Sequence, residues 1–105
     1  MTQFNQMSFQ SALDSGGLML VDFWAEWCSH CQPLGPVMEA LAEKYEGRAV
    51  IGKLNVDEER ALAMQYGVMG IPTVILFQEG KEVDRKVGAH PIEVYDRALE
   101  ERLKD

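Results

Sequence analysis

A chain of 105 residues with 47% hydrophobic content supports one compact domain over residues 1–105 and leaves no room for a second. Its formal charge of −7 argues against nucleic acid or an anionic membrane as the main partner, because phosphates are repelled. No apolar stretch approaches the roughly 20 residues of a membrane-spanning helix. Met1–Ser15 is polar and lacks the basic start and apolar core of a signal peptide, so a soluble, cytoplasmic protein is expected.

Strands and helices alternate along the chain, with a short leading strand expected near Gln3–Phe4. Ser8–Ser15 reads as a short helix stopped by Gly16-Gly17. Leu18–Trp24 is almost wholly apolar, the pattern of a strand covered on both faces. From Cys28 to Tyr45, the residues Leu34, Val37, Met38, Leu41, Ala42 and Tyr45 recur at three- and four-residue intervals, which predicts an amphipathic helix ended by Gly47. Ala49–Val56 reads as a second apolar strand, and Asp57 as the cap of a helix running to Tyr66. Thr73–Phe77 and Glu82–Val87 are then strands of a hairpin joined through Glu79-Gly80-Lys81. Pro91 stands near the first turn of a closing helix that carries Ile92, Tyr95, Leu99 and Leu103 on one face. Strands joined by helices are expected parallel and the hairpin antiparallel. The fold class is therefore α/β: a central mixed sheet flanked by helices on both faces.

Both cysteines of the chain lie within Trp27-Cys28-Ser29-His30-Cys31, directly after an apolar strand. In such a strand–helix context a Cys-x-x-Cys pair reads as a redox motif, able to close and reopen a small disulfide. Two blander readings stand beside it. A structural bridge over so few residues constrains little chain entropy. A zinc site needs four ligands, and only His30 and His90 are available to join the cysteines, so neither metal nor cofactor is expected.

The motifs Val21-Asp22-Phe23-Trp24-Ala25-Glu26-Trp27-Cys28, Lys53-Leu54-Asn55-Val56-Asp57, Tyr66-Gly67-Val68-Met69-Gly70-Ile71-Pro72-Thr73 and Val87-Gly88-Ala89 follow one another in order. On them the chain resembles the thioredoxin family nearly end to end. The resemblance implies the thioredoxin fold and a protein disulfide reductase acting by dithiol–disulfide exchange. It also implies disulfide-containing protein substrates and a thioredoxin reductase or similar electron donor. Nothing in the sequence demands more than a monomer.

Cys28 is expected to be the nucleophile, its thiolate favoured by free N–H groups where the long helix begins. Cys31 is expected to be the resolving thiol, more buried and more protonated. Asp22, a carboxyl in an apolar strand, should have a raised pKa and is placed to take the Cys31 proton through a water. Lys53 is its possible charge partner. The resemblance makes Ile71-Pro72 a cis peptide bond opposite the cysteines, with the Ile71 backbone open to an extended substrate. Trp27, Met69, Gly70, Ile71, Gly88 and Ala89 are expected to form the substrate-binding ground, whereas Trp24 reads as packing.

Two features depart from the common family pattern, which has Gly-Pro between the cysteines. A hydrogen-bonding or cationic His30 beside Cys28 would stabilise the reduced state, giving a potential between those of ordinary thioredoxins and disulfide isomerases. Pro33-Leu34-Gly35-Pro36 adds breakers beyond the one usual proline, which predicts irregular opening turns. An oxidase or isomerase using the same residues, and a binding module with secondary redox activity, are the alternative functions.

Overall fold

The computed structural model describes residues 1–104. Five strands form one sheet: β1 (Thr2–Gln3), β2 (Leu18–Trp24), β3 (Val50–Asn55), β4 (Thr73–Gln78) and β5 (Lys81–Val87), in the order β1-β3-β2-β4-β5. β1, β3 and β2 run parallel, while β4 and β5 complete the sheet antiparallel. Four helices, α1 (Gln6–Asp14), α2 (Leu34–Lys44), α3 (Arg60–Gln65) and α4 (Ile92–Leu103), cover both faces. The expected mixed sheet is present.

β2 sits at the centre, and alternation sends its residues to opposite layers. Leu18 and Leu20 pack with Leu34, Met38 and Leu41 of α2 and Tyr95 and Leu99 of α4. Met19, Val21 and Phe23 pack with Phe9 of α1 and Leu62 of α3. In that second layer Phe9 meets Phe4, Tyr66 and Phe77 edge-on, with ring centroids 5.9, 5.6 and 5.5 Å away. Edge-to-face aromatic pairs add about 0.5–1.5 kcal/mol to the burial of their area. In the first layer the buried Tyr45 hydroxyl ties α2 to α4, with the Asp96 and Glu100 carboxylates as its acceptors.

Three local differences from the sequence expectation have physical causes. The first helix starts earlier than Ser8, because Asn5 Oδ1 accepts from Ser8 N–H at 2.8 Å while Ser8 Oγ accepts from Asn5 N–H at 2.9 Å. Asp57 does not cap α3. Asn55 Oδ1 accepts from the Asp57 and Glu58 N–H groups instead, and α3 begins only at Arg60.

The helix expected over Cys28–Tyr45 is divided into a 3-10 turn, Ser29–Cys31, and α2 from Leu34. Pro33 and Pro36 have no N–H to offer the carbonyls of Ser29 and Gln32, so the α-helical ladder cannot run back from α2 into the redox turn, and Pro36 sits in the first turn of α2, where a missing N–H is tolerated. Gln32 N–H and Gly35 N–H reach those carbonyls with the shorter, three-residue spacing, at 3.4 and 3.2 Å.

Gly52, in the middle of β3, is required by close approach. A Cβ there would meet Phe4 Cε2 at 2.5 Å and the Thr2 carbonyl oxygen at 2.6 Å. Gly52→Ala is expected to push β1 and Phe4 off the sheet edge, at a cost of about 1–3 kcal/mol. Denaturant unfolding should show the lower midpoint. Hydrogen exchange should show lost protection of the Phe4 amide, which donates to Lys53 O at 2.8 Å.

Candidate active site

The site lies where β2 ends. Its last residues turn through Ala25, which is fully buried, and Cys28 N–H closes that turn by donating to Ala25 O at 3.2 Å. Cys28 is extended, with φ −89° and ψ 106°, and the 3-10 turn follows it. Cys28 and Cys31 are joined as a disulfide with a Cα–Cα separation of 5.3 Å. Both are buried, packed with Ala25 and flanked by Trp24, Val56 and Ile71.

The dipole expectation for Cys28 needs correction. The α-helix begins six residues later, at Leu34, so Cys28 is not at its N-terminus. What immediately follows the cysteine is one short turn, whose first N–H groups lack intrahelical partners.

Facing the disulfide is the turn before β4. Ile71-Pro72 is a cis peptide bond, and Cys28 Sγ lies 3.8 Å from the Ile71 carbonyl oxygen. The Thr73 hydroxyl donates to Gly70 O, holding this turn against the start of β4. Gly88 N–H donates to Pro72 O at 2.8 Å, which brings the end of β5 to the same place. Gly88 has φ +88°, and a Cβ there would meet nothing within 4 Å, so its outer side is open to an approaching chain.

Asp22 is 2% exposed and lies on the face of β2 that carries Leu18 and Leu20. Burial raises its pKa to about 7, with the Lys53 charge opposing the rise. Lys53 is its register partner on β3, yet among the described residues it forms no ion pair with that carboxylate. Its Nζ instead sits 4.4 Å from the centroid of the Trp24 ring. Asp22 Oδ1 has no hydrogen-bond partner. Trp24 does pack, as expected, but its neighbours are the disulfide cluster and the Lys53 ammonium.

Trp27 is 69% exposed, and its indole N–H donates to Asp57 Oδ2 at 2.8 Å. Asp57 is thus the site-lining residue that the sequence expectation assigned to capping; its position just past the end of β3, level with the end of β2, was the available signal. Met69 is 97% exposed, and Gly70 and Ala89 also face solvent. None of these residues packs into the buried disulfide cluster, whose apolar wall is Trp24, Val56 and Ile71. His30 is exposed on the 3-10 turn. No group of three or more potential metal-ligating side chains occurs among the described residues.

A disulfide spanning two residues at the end of a buried strand, opposite a cis-proline turn, defines a thiol–disulfide oxidoreductase. The thioredoxin family pattern matches residues 1–101. A thioredoxin of Chlorobaculum thiosulfatiphilum is 50% identical over 91 residues, covering 87% of this chain and 84% of that protein. One from Staphylococcus aureus is 48% identical over 95 residues, covering 90% of each. The solved structure of a mutant thioredoxin from Halobacterium salinarum NRC-1 superposes with a TM-score of 0.88 at 37% identity, covering 96% of this chain and 88% of that one. The chain belongs to the thioredoxin family, and it is a protein-disulfide reductase.

The buried carboxyl has a stability signature. Asp22 binds its proton more tightly folded than unfolded, so its favourable contribution is complete below about pH 4 and is lost as pH rises towards 7. Asp22→Asn is therefore expected to be more stable than the parent by roughly 2–4 kcal/mol above pH 7. The gain should vanish near pH 4. Urea unfolding across that range checks it, and a pH-independent difference would contradict the assignment.

Proposed function

We propose that Cys28 is the attacking thiol, Cys31 the resolving thiol and Asp22 the acceptor of the Cys31 proton. The reaction begins from the reduced protein. The Cys28 thiolate attacks one sulfur of a substrate disulfide, forming a mixed disulfide and expelling the first substrate thiolate. Cys31 then gives its proton to the Asp22 carboxylate and attacks the Cys28 sulfur. The Cys28–Cys31 bond forms, the second substrate thiolate leaves, and two electrons have passed to the substrate. Asp22 returns its proton to solvent.

The observation that carries this reading is the placement of Cys28 Sγ against the Ile71 carbonyl of the cis-proline turn, with a carboxyl titrating near 7 buried on β2, the strand that leads into the cysteines. A carboxyl titrating near 7 can accept and release a proton under working conditions, whereas an ordinary surface carboxylate is a poor base there. An extended substrate segment lies along the Ile71 backbone, with Trp27, Met69, Gly70, Gly88 and Ala89 as its binding ground. Cis-Pro72 shapes that edge. Lys53, parked on Trp24, limits how far burial raises the Asp22 pKa.

The donor that recycles the disulfide is a thioredoxin reductase or a dithiol protein of that kind. Net electron flow towards substrate belongs to a reducing compartment, so the protein works in the cytoplasm, as a one-domain monomer. Among the described residues no helix is long and apolar enough to cross a membrane.

His30 raises the potential above that of ordinary thioredoxins by stabilising the reduced Cys28. His30→Pro is expected to lower it by on the order of 30 mV, a tenfold change in equilibrium with glutathione. An unchanged potential would remove His30 from the mechanism.

Cys31→Ser is expected to accumulate the mixed disulfide with an insulin-type substrate, while Cys28→Ser forms none. Mass spectrometry of the trapped species reads this directly. Trapping through Cys31 in the Cys28→Ser protein would reverse the two roles. Efficient oxidation of reduced substrates with poor reduction of insulin would favour the oxidase or isomerase alternative.

A further inference from the structure

The first layer contains a second buried polar side chain that the reaction above does not use. Tyr95, in the first turn of α4, is 1% exposed. Its hydroxyl accepts from His90 N–H at 3.1 Å, and its ring stands edge-on to the His90 imidazole at 6.2 Å. A phenol has one proton to donate as well as lone pairs to accept with. Among the described residues no group accepts the Tyr95 proton.

The sheet surface beneath this ring can be read from register. Alternation places Asp22 on the same face of β2 as Leu18 and Leu20. Asp22 pairs with Val74 of β4, and Leu20 pairs with Leu76. Leu20, Val74, Leu76 and Tyr95 belong to one buried cluster. Asp22 is thus the polar member of the surface on which Tyr95 lies. Its Oδ1 is an unpartnered buried acceptor, and the Tyr95 O–H is an unspent buried donor. Burial holds the phenol pKa up, the His90 hydrogen bond lowers it, and the Asp22 charge adds a smaller rise. Since no direct hydrogen bond joins Tyr95 to Asp22, a bridging water has both partners it needs there.

We propose that Tyr95 is a positioning residue for the Asp22 proton: its hydroxyl, oriented by the His90 N–H, donates through one water to the Asp22 carboxylate. Leaving a buried acceptor without a donor costs more than the hydrogen bond itself gains, which is the reason to expect the link. It steadies the ionised carboxylate until the Cys31 proton arrives, and it holds the water through which that proton moves. The other titratable or charged groups around Asp22 are Lys53 from β3, Lys86 two strands away on β5 and paired with Asp84, and the two cysteines. α2 presents Leu34 and Met38 to this layer. Tyr95 is one neutral donor of this face, and the Trp24 indole N–H, buried and without a partner two residues along β2, is the other.

This inference rests on the reading of Asp22 as proton acceptor, and the two can be tested apart. The Asp22 carboxyl is titrated by carbon-13 NMR in the oxidised protein, where neither thiol ionises, with Asp22→Asn identifying its resonance. Tyr95→Phe keeps the ring and removes only the hydroxyl. It is expected to move the Asp22 midpoint to higher pH, by about a three- to tenfold change in proton affinity. The alkaline shift should reappear in the pH profile of resolution of the mixed disulfide. His90→Ala keeps the backbone N–H and is expected to leave the midpoint where it was. A Tyr95→Phe midpoint that coincides with the parent would overturn the proposal, even if thermal stability fell. If Tyr95→Phe shifts the midpoint but Asp22→Asn leaves the resolution profile unchanged, the hydrogen bond stands and the acceptor role of Asp22 fails.

Discussion

β2 is enclosed on both faces and both edges, and much of the site follows from that enclosure. A strand with helices above and below and strands on either side buries every side chain from Leu18 to Phe23. Any polar residue placed on it must carry the consequences of desolvation. Asp22 does so, and the outcome is a carboxyl that exchanges its proton near neutrality. The same enclosure fixes where the strand ends. With Ala25 fully buried and the next backbone turn closed by Cys28 N–H, the disulfide is delivered to one defined spot at the rim of the sheet.

Two further elements reach that rim by different routes. The β4 strand begins there with its cis-proline turn, and the end of β5 is fastened to it through the hydrogen bond from Gly88 to Pro72. The exposed Trp27 is tethered to Asp57 at the end of β3. Four strand ends therefore contribute to one surface. The strand ends are rigid supports, and they hold the short loops of this surface in fixed positions.

The fold was legible in the residues wherever burial sets a period. The apolar run of β2, the three- and four-residue spacing of α2 and the turn chemistry of Glu79-Gly80 all had one reading, and Glu79 and Gly80 do take positive φ. The cysteines and the buried acid were legible because each is an exception within its local pattern, whereas the cis bond was legible only through the family resemblance. What escaped the sequence depended on partners distant along the chain. Asp57 looks like a cap until Trp27, 30 residues earlier, is seen to hold it. Lys53 looks like a natural ion partner until the Trp24 ring is found beneath its ammonium. Tyr95 looks like one more apolar helix residue until its hydroxyl is placed in the layer that contains Asp22.

The interruption at Pro33 separates the redox turn from α2 mechanically. Ser29 and His30 lie on a loop-like segment with its own three-residue hydrogen bonds, while the helix beyond it is anchored by Leu34, Met38 and Leu41 in the core. The two intervening positions are therefore free to vary in evolution, or under an engineer's hand, without unwinding a helix that the core depends on. Electron affinity and folding robustness become separately adjustable properties of one short polypeptide.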